Sequence, residues 1–271
     1  LLHAFITNKY IDHTHSLAVL AIANQPNAIE ICKKIYGERV AIVPYVMPGF
    51  DLALAAAKSY EDAKEVSSSK GFELEGMILI NHGIFSFGET AKSSYERMIN
   101  LVNLAENYLK RKINLDFSNS KDLCNNSKKV LPYLRGLLGR ISYKYNKNNK
   151  WIFDIRNNKS IFEILKDNNL SELIKLGVAT PDHVIRTKAK PLLLNSLNPN
   201  GPEQKIETIF EWINDTEMKI KNYIDDYENY FQRNSKNAKE KKKQLDPLPR
   251  IIFIPEIGLI GIGTDKKSAR I

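Results

Sequence analysis

Three of the chain's five histidines fall in two short motifs, Ile11-Asp12-His13-Thr14-His15 and Ile80-Asn81-His82-Gly83, each at the edge of an apolar run. In the first motif the histidines stand at i and i+2. On an extended strand alternate side chains share a face, so both imidazoles project the same way. Two imidazoles on one face, met by a third from another strand, make a typical catalytic zinc arrangement with one position left open for water or substrate. The competing reading is a pair of solvent-facing histidines and an unrelated loop histidine. The scarcity of histidine in this chain favours the metal.

The elements that must position these rings can be read from pattern and punctuation. Residues 1–6 are apolar and read as the tail of a helix, and 10–14 as a strand carrying the His pair. Ser16 can cap a helix over 17–23, stopped by Asn24-Gln25-Pro26. A short amphipathic helix follows over 27–36, then a buried strand over 40–43. The loop Pro44-Tyr45-Val46-Met47-Pro48-Gly49-Phe50 leads into an alanine-rich helix starting at Asp51. Strands over 77–80 and 84–87 flank Asn81-His82-Gly83. Thr90 caps a long helix whose apolar stripe (Ala91, Tyr95, Met98, Val102, Ala105, Leu109) is a core or subunit contact.

Composition bounds the rest. With 271 residues, 43% hydrophobic and 26% charged, the chain can form one large domain or two small ones. Its two cysteines, Cys32 and Cys124, make no framework, which points to a reducing, cytoplasmic setting without a disulfide. No apolar run approaches the ~20 residues of a spanning helix. The net charge of +9 sits largely in the runs 144–150 and 236–243, which read as solvated loops, so neither nucleic acid nor membrane is the expected partner. The opening Leu and the closing Lys-Lys-Ser-Ala-Arg-Ile read as cut ends.

Taken together, His-Thr-His before an alanine/valine-rich helix, Tyr45-Val46-Met47-Pro48-Gly49, and Asn81-His82-Gly83-Ile84 before a long helix resemble the class II aldolase/adducin family. Leu1-Leu2-His3-Ala4-Phe5 and Thr180-Pro181-Asp182-His183-Val184-Ile185-Arg186-Thr187-Lys188 further resemble its long bifunctional members, which join a rhamnulose-1-phosphate aldolase-type domain to a short-chain dehydrogenase. The resemblance is closest over 1–111 and 178–190, weaker over 245–271, and little more than length over 114–176.

The resemblance implies an α/β, three-layer domain whose central, mostly antiparallel sheet is flanked by helices. It implies Zn2+ held by His13, His15 and His82, aldol cleavage of a ketose 1-phosphate (L-rhamnulose 1-phosphate to dihydroxyacetone phosphate and L-lactaldehyde), and a homo-oligomer. In such enzymes zinc stabilises the enediolate left by carbon–carbon cleavage. Asn81 and Asp12 are the candidates to orient the ligands. The family's catalytic glutamate and its phosphate-holding loops would precede Leu1, so the chain alone is expected to be inactive, and neither Glu73 nor Glu75 is promoted to that role. A sugar-phosphate epimerase or dehydratase is the nearest enzymatic alternative, and an adducin-like structural module the non-catalytic one.

The expected organisation is a metal-bearing core over 1–113, a helical insert or extension over 114–244, and a returning strand pair with a helix start over 245–271. NAD is expected only for a dehydrogenase domain beyond it. Gly258-Leu259-Ile260-Gly261-Ile262-Gly263 has the wrong spacing for a dinucleotide fingerprint. Set against the first motif, Gly83 falls on Gly258, Gly88 on Gly263, Lys92 on Lys267 and Ser93 on Ser268, with Ile257 in the place of His82. That makes this segment either a second strand pair of the same sheet or a decayed echo of the first. Elsewhere the pattern predicts a helical patch at 131–138, a strand at 151–155, and helices over 161–176 and 206–231. Arg186 and Lys188, two apart on a segment read as extended, could meet a substrate anion. The alternative there is an edge strand with exposed basic side chains, and His183 is not expected to join the metal.

Overall fold

The computed structural model describes residues 2–109, 125–146, 150–197, 206–236, 238 and 241–271. Cys124 and parts of the two basic runs lie outside the described residues. The chain divides into two compact units, Leu1–Ile113 with Ala179–Pro181, and Asn114–Val178 with Asp182–Ile271.

The first unit contains α1 (Leu2–Phe5), β1 (Tyr10–Thr14), α2 (Leu17–Ala23), α3 (Ala28–Tyr36), β2 (Val40–Val43), α4 (Phe50–Ser69), β3 (Gly76–Leu79), β4 (Gly83–Gly88) and α5 (Ala91–Leu109). Its four strands lie in the order β1-β4-β3-β2. The β1/β4 and β3/β4 pairs are antiparallel and β2/β3 is parallel. Side-chain alternation sends Met77, Leu79, Phe85 and Phe87 to one face, where they pack with Ile6 from the loop after α1 and with Leu52, Ala56 and Tyr60 from α4. Ile78 and Ile84 turn to the other face and meet Val19, Ile22, Cys32, Tyr36 and Leu101 from α2, α3 and α5. The result is helix, sheet, helix, with β3 and β4 buried along their whole length. Each fully buried aliphatic or aromatic side chain in those layers contributes about 1.5–3 kcal/mol.

In the second unit follow α6 (Asn125–Asn146), β5 (Ile152–Arg156), α7 (Lys159–Leu165), α8 (Leu170–Lys175), α9 (Pro181–Thr187), β6 (Leu192–Leu193), α10 (Ile206–Ser235), β7 (Ile251–Ile254), β8 (Gly258–Gly263) and α11 (Lys266–Ala269). The strand order is β5-β8-β7-β6, with the same pattern of antiparallel and parallel pairs as in the first sheet. The chain therefore contains one sheet topology twice. Registers agree as well: Tyr10 lies opposite Gly88, and Ile152 opposite Gly263. Both copies close with one helix cap. Thr90 Oγ1 accepts from Ser93 N at 3.0 Å, and Asp265 Oδ1 accepts from Ser268 N at 2.8 Å. The capped helix backs onto its strand so closely that a Cβ on Gly88 would strike Ser93 and Ser94, and one on Gly263 would strike Ser268 and Ala269.

The structure answers several expectations. The strand pair after residue 245 does not join the first sheet; it pairs with β5 and β6, so of the two alternatives the echo is the one found. The described residues of 125–178 and 182–244 share one compact unit with 245–271. The predicted helix over 161–176 is broken into α7 and α8, because Asp167 Oδ1 takes the Asn169 amide at 2.8 Å and offers the backbone a turn instead. Residues 181–187 form α9 rather than an extended segment. Ser16 does stand before α2, yet its side chain makes no capping bond. Among the described residues no helix is long and apolar enough to cross a membrane.

Adding a methyl group should separate close approach from open space. Gly88→Ala and Gly263→Ala should each cost about 1–3 kcal/mol through forced overpacking. Gly136→Ala, mid-helix in α6 with nothing within 4 Å of the new Cβ, should gain about 0.5–1 kcal/mol. Urea unfolding midpoints of the three variants check the order.

Candidate metal centre

The β1/β4 pairing places His13 opposite Phe85 and Thr14 opposite Ile84. His15 follows at the end of β1, and His82 sits in the turn that joins β3 to β4. That turn is held from three sides. Ile80 N donates to Val43 O at 3.0 Å, Asn81 N to Ala23 O at 3.3 Å, and His82 N to Leu79 O at 3.1 Å. Asn81 takes a left-handed backbone at φ 59°, a conformation that asparagine adopts more readily than most residues. Its place here is thus in the turn's backbone, with the side chain exposed. Gly83 leaves room for the ligands: a Cβ there would lie 2.7 Å from Thr14 O, 2.9 Å from His15 Cδ2 and 3.1 Å from His13 Cε1.

The three rings converge. Their ligand nitrogens all lie within 4.8 Å of one another, and His13 Nε2 stands 3.1 Å from His15 Nε2. Two nitrogens each ~2.0–2.1 Å from one tetrahedral zinc are ~3.3 Å apart, so this spacing fits a shared ion. The tautomer fits too. His13 Nδ1 donates to the Ile84 carbonyl at 3.0 Å, which leaves Nε2 bare and turned toward the cluster. The His13 ring also stacks on Phe85, with centroids 4.1 Å apart and planes 17° apart. Burial of the ring lowers its pKa to about 4; the Ile84 bond opposes this, while His15, His82 and His3 add to it. His13 is therefore neutral near pH 7, as a nitrogen ligand must be.

The group can hold a metal, and among the described residues no carboxylate joins it. Asp12 is exposed and, one residue from His13, faces the other side of the strand. Glu73 pairs with Arg97, and Glu75 lies 3.9 Å from Arg39. His183 is exposed on α9, outside the cluster. Arg186 is exposed on the same helix. Lys188, also at positive φ, is only 3% exposed. Its ammonium donates to the Asp246 carbonyl and lies 4.3 Å from the centre of the Tyr227 ring. The anion-contact role expected for Arg186 and Lys188 is corrected for Lys188, whose donor is used inside its own unit. Phe85 and the Ile84 carbonyl went unread in the sequence, since only the β1/β4 register reveals them.

Comparison with known proteins adds family matches. Residues 1–109 match the Class II Aldolase and Adducin N-terminal domain, and residues 125–271 match Aldolase class II, second domain. A curated relative, the "Uncharacterized oxidoreductase YuxG" of Bacillus subtilis (strain 168), is 28% identical over 273 residues, covering 100% of this chain and 37% of that protein. The chain thus spans little more than a third of that relative's length. A solved N-terminal class II aldolase domain of a conserved protein from Thermoplasma acidophilum is 38% identical, with 40% of this chain and 46% of that chain covered and a TM-score of 0.34.

Elemental analysis of purified variants should show metal lost from His13→Ala, His15→Ala and His82→Ala, reduced in Gly83→Ala, and retained in His183→Ala. Equal loss in His183→Ala would refute the ligand set. Acidification gives a second check on the metal-free chain. His13 resists protonation when folded but accepts a proton near 6.5 when unfolded. Its contribution to stability is therefore whole above pH 6.5 and falls away as the pH drops through about 4. Melting curves across that window should be flatter for His13→Gln than for the parent.

Proposed function

Because this chain belongs to the class II aldolase family, we propose that its histidine cluster is the metal-holding half of a lyase site acting on a ketose 1-phosphate, with L-rhamnulose 1-phosphate as the favoured substrate. The observation that carries this reading is the convergence of three imidazole nitrogens within 4.8 Å, one of them tautomer-fixed by a backbone carbonyl. Zinc is the favoured ion, since an all-imidazole set suits it and leaves a position open. When bound, the ion supplies a fixed positive charge where negative charge develops as a carbon–carbon bond beside a carbonyl breaks.

The chain's own residues do the rest by placement. Ile84 O and Phe85 fix the plane and tautomer of His13, Gly83 keeps the space between His13 and His15 clear, and the Asn81 turn delivers His82. Proton transfer needs a further group, because no carboxylate of the described residues joins the cluster. In this reading that group is contributed from outside these residues. The relative's description as an oxidoreductase supports a linked dehydrogenase that oxidises the aldehyde product.

The test pairs binding with turnover. The chain should take up near-stoichiometric zinc and show negligible cleavage of L-rhamnulose 1-phosphate, while the longer protein containing it should release dihydroxyacetone phosphate. Normal turnover by the chain alone would place the acid/base within it. A zinc-loaded longer protein that leaves the substrate uncleaved would sink the aldolase assignment and turn attention to epimerisation or dehydration.

A further inference from the structure

The second unit contains a groove of about 730 Å³ along α10, walled by α8 and by residues 189–191. That volume lies within the ~300–1,000 Å³ typical of small-molecule sites. Tyr223, Tyr227 and Tyr230 recur at three- and four-residue intervals, so they share one face of α10 and line the groove. The Tyr227 and Tyr230 rings are 6.2 Å apart and tilted by 34°. The Tyr223 hydroxyl donates to Lys190 O at 2.8 Å and ties the helix to the opposite wall.

Charge in the groove is one-sided. Lys175, Lys190, Arg233 and Lys236 line it against a single acid, Asp226. Lys175 is paired with Glu172 at 2.6 Å, but among the described residues no ion pair engages Lys190, Arg233 or Lys236. Behind Tyr227 lies the Lys188 ammonium, and the carboxylate of nearby Asp246 is already held by Arg250. The wall therefore adds positive charge of its own. Concave surfaces lined by one sign of charge concentrate ligands of the other.

We propose that this groove binds a ring-bearing phosphate ester, and a nucleotide in preference to a sugar phosphate. The guanidinium of Arg233 suits a phosphate through paired hydrogen bonds, and the lysines add point charges. Tyr230, 41% exposed, offers a face on which a flat base stacks. A sugar ring has no π-face, so it gains from the cations without that stacking. None of the histidines of the metal cluster lines the groove.

Calorimetric titration tests this with ADP, adenosine, inorganic phosphate and fructose 1-phosphate. It is run on the purified chain and on its His13→Ala/His15→Ala variant, both with EDTA. ADP should saturate both proteins with a dissociation constant below about 1 mM, and the other three probes should bind at least about tenfold more weakly. Tyr230→Ala and Arg233→Ala, both at exposed positions, should each weaken ADP about tenfold with unchanged melting temperature. Absence of saturation, or ADP binding that survives both substitutions, overturns the proposal. So does binding lost in the histidine variant, and fructose 1-phosphate binding as tightly as ADP would overturn the choice of a nucleotide.

Discussion

The hydrogen bond from His13 Nδ1 to the Ile84 carbonyl, at 3.0 Å, is the joint on which the metal site depends. It runs from an edge strand to a central one, and so exists only in one register of β1 on β4. A slip by one residue would turn Asp12 and Thr14 toward the cluster and send both histidines to the other face. The bond also selects the tautomer. With the proton on Nδ1, Nε2 keeps its lone pair for a metal, and β4 is buried along its whole length, so the accepting carbonyl has little freedom to move.

His82 arrives by different means. A histidine at the tip of a hairpin would ordinarily sample several rotamers and backbone states, and here the backbone is what has been tied down. Bonds from Ile80 and Asn81 anchor the turn to β2 and to the end of α2. The left-handed Asn81 sets the direction from which the next residue enters, and the glycine after it allows the two strands' histidines to approach. Asn-His-Gly is thus a backbone device on both sides of its one ligand.

Much of this was legible in advance because it is local. The i, i+2 spacing of His13 and His15, the helix over Leu17–Ala23, the cap at Thr90 and the Gly83/Gly258 correspondence are all carried by neighbouring residues. What was missed depends on long-range pairing. Phe85 opposite His13 follows from a strand register across seventy residues. The second sheet is closed by β6, only two residues long, which leaves almost no periodicity to read. Lys188 looked like an exposed cation on an extended segment, and only the tertiary fold shows it buried beneath Tyr227. Asn81 was expected among the residues that orient the ligands, and its left-handed backbone lies in the turn that carries His82.

The repeated sheet separates what the topology needs from what the chemistry needs. Both copies keep the glycine at the strand end, the capped helix that backs onto it, and the order of four strands. The ligand positions have changed character: by register Ile155 stands in the place of His13, Asn157 in that of His15, and Ile257 in that of His82. Keeping such a ring has a cost in a metal-free fold, since burial, with smaller contributions from His15, His82 and His3, lowers the pKa of His13. Ile257 instead is 1% exposed and packs in the apolar core with Ile254 and Ile260, where such a side chain contributes about 1.5–3 kcal/mol. The second unit thus gains core at one of the positions where the first spends it on a binding site. Since the skeleton survives that exchange, the shared topology does not itself require histidines at these positions, and in the first unit they form a cluster that could hold a metal.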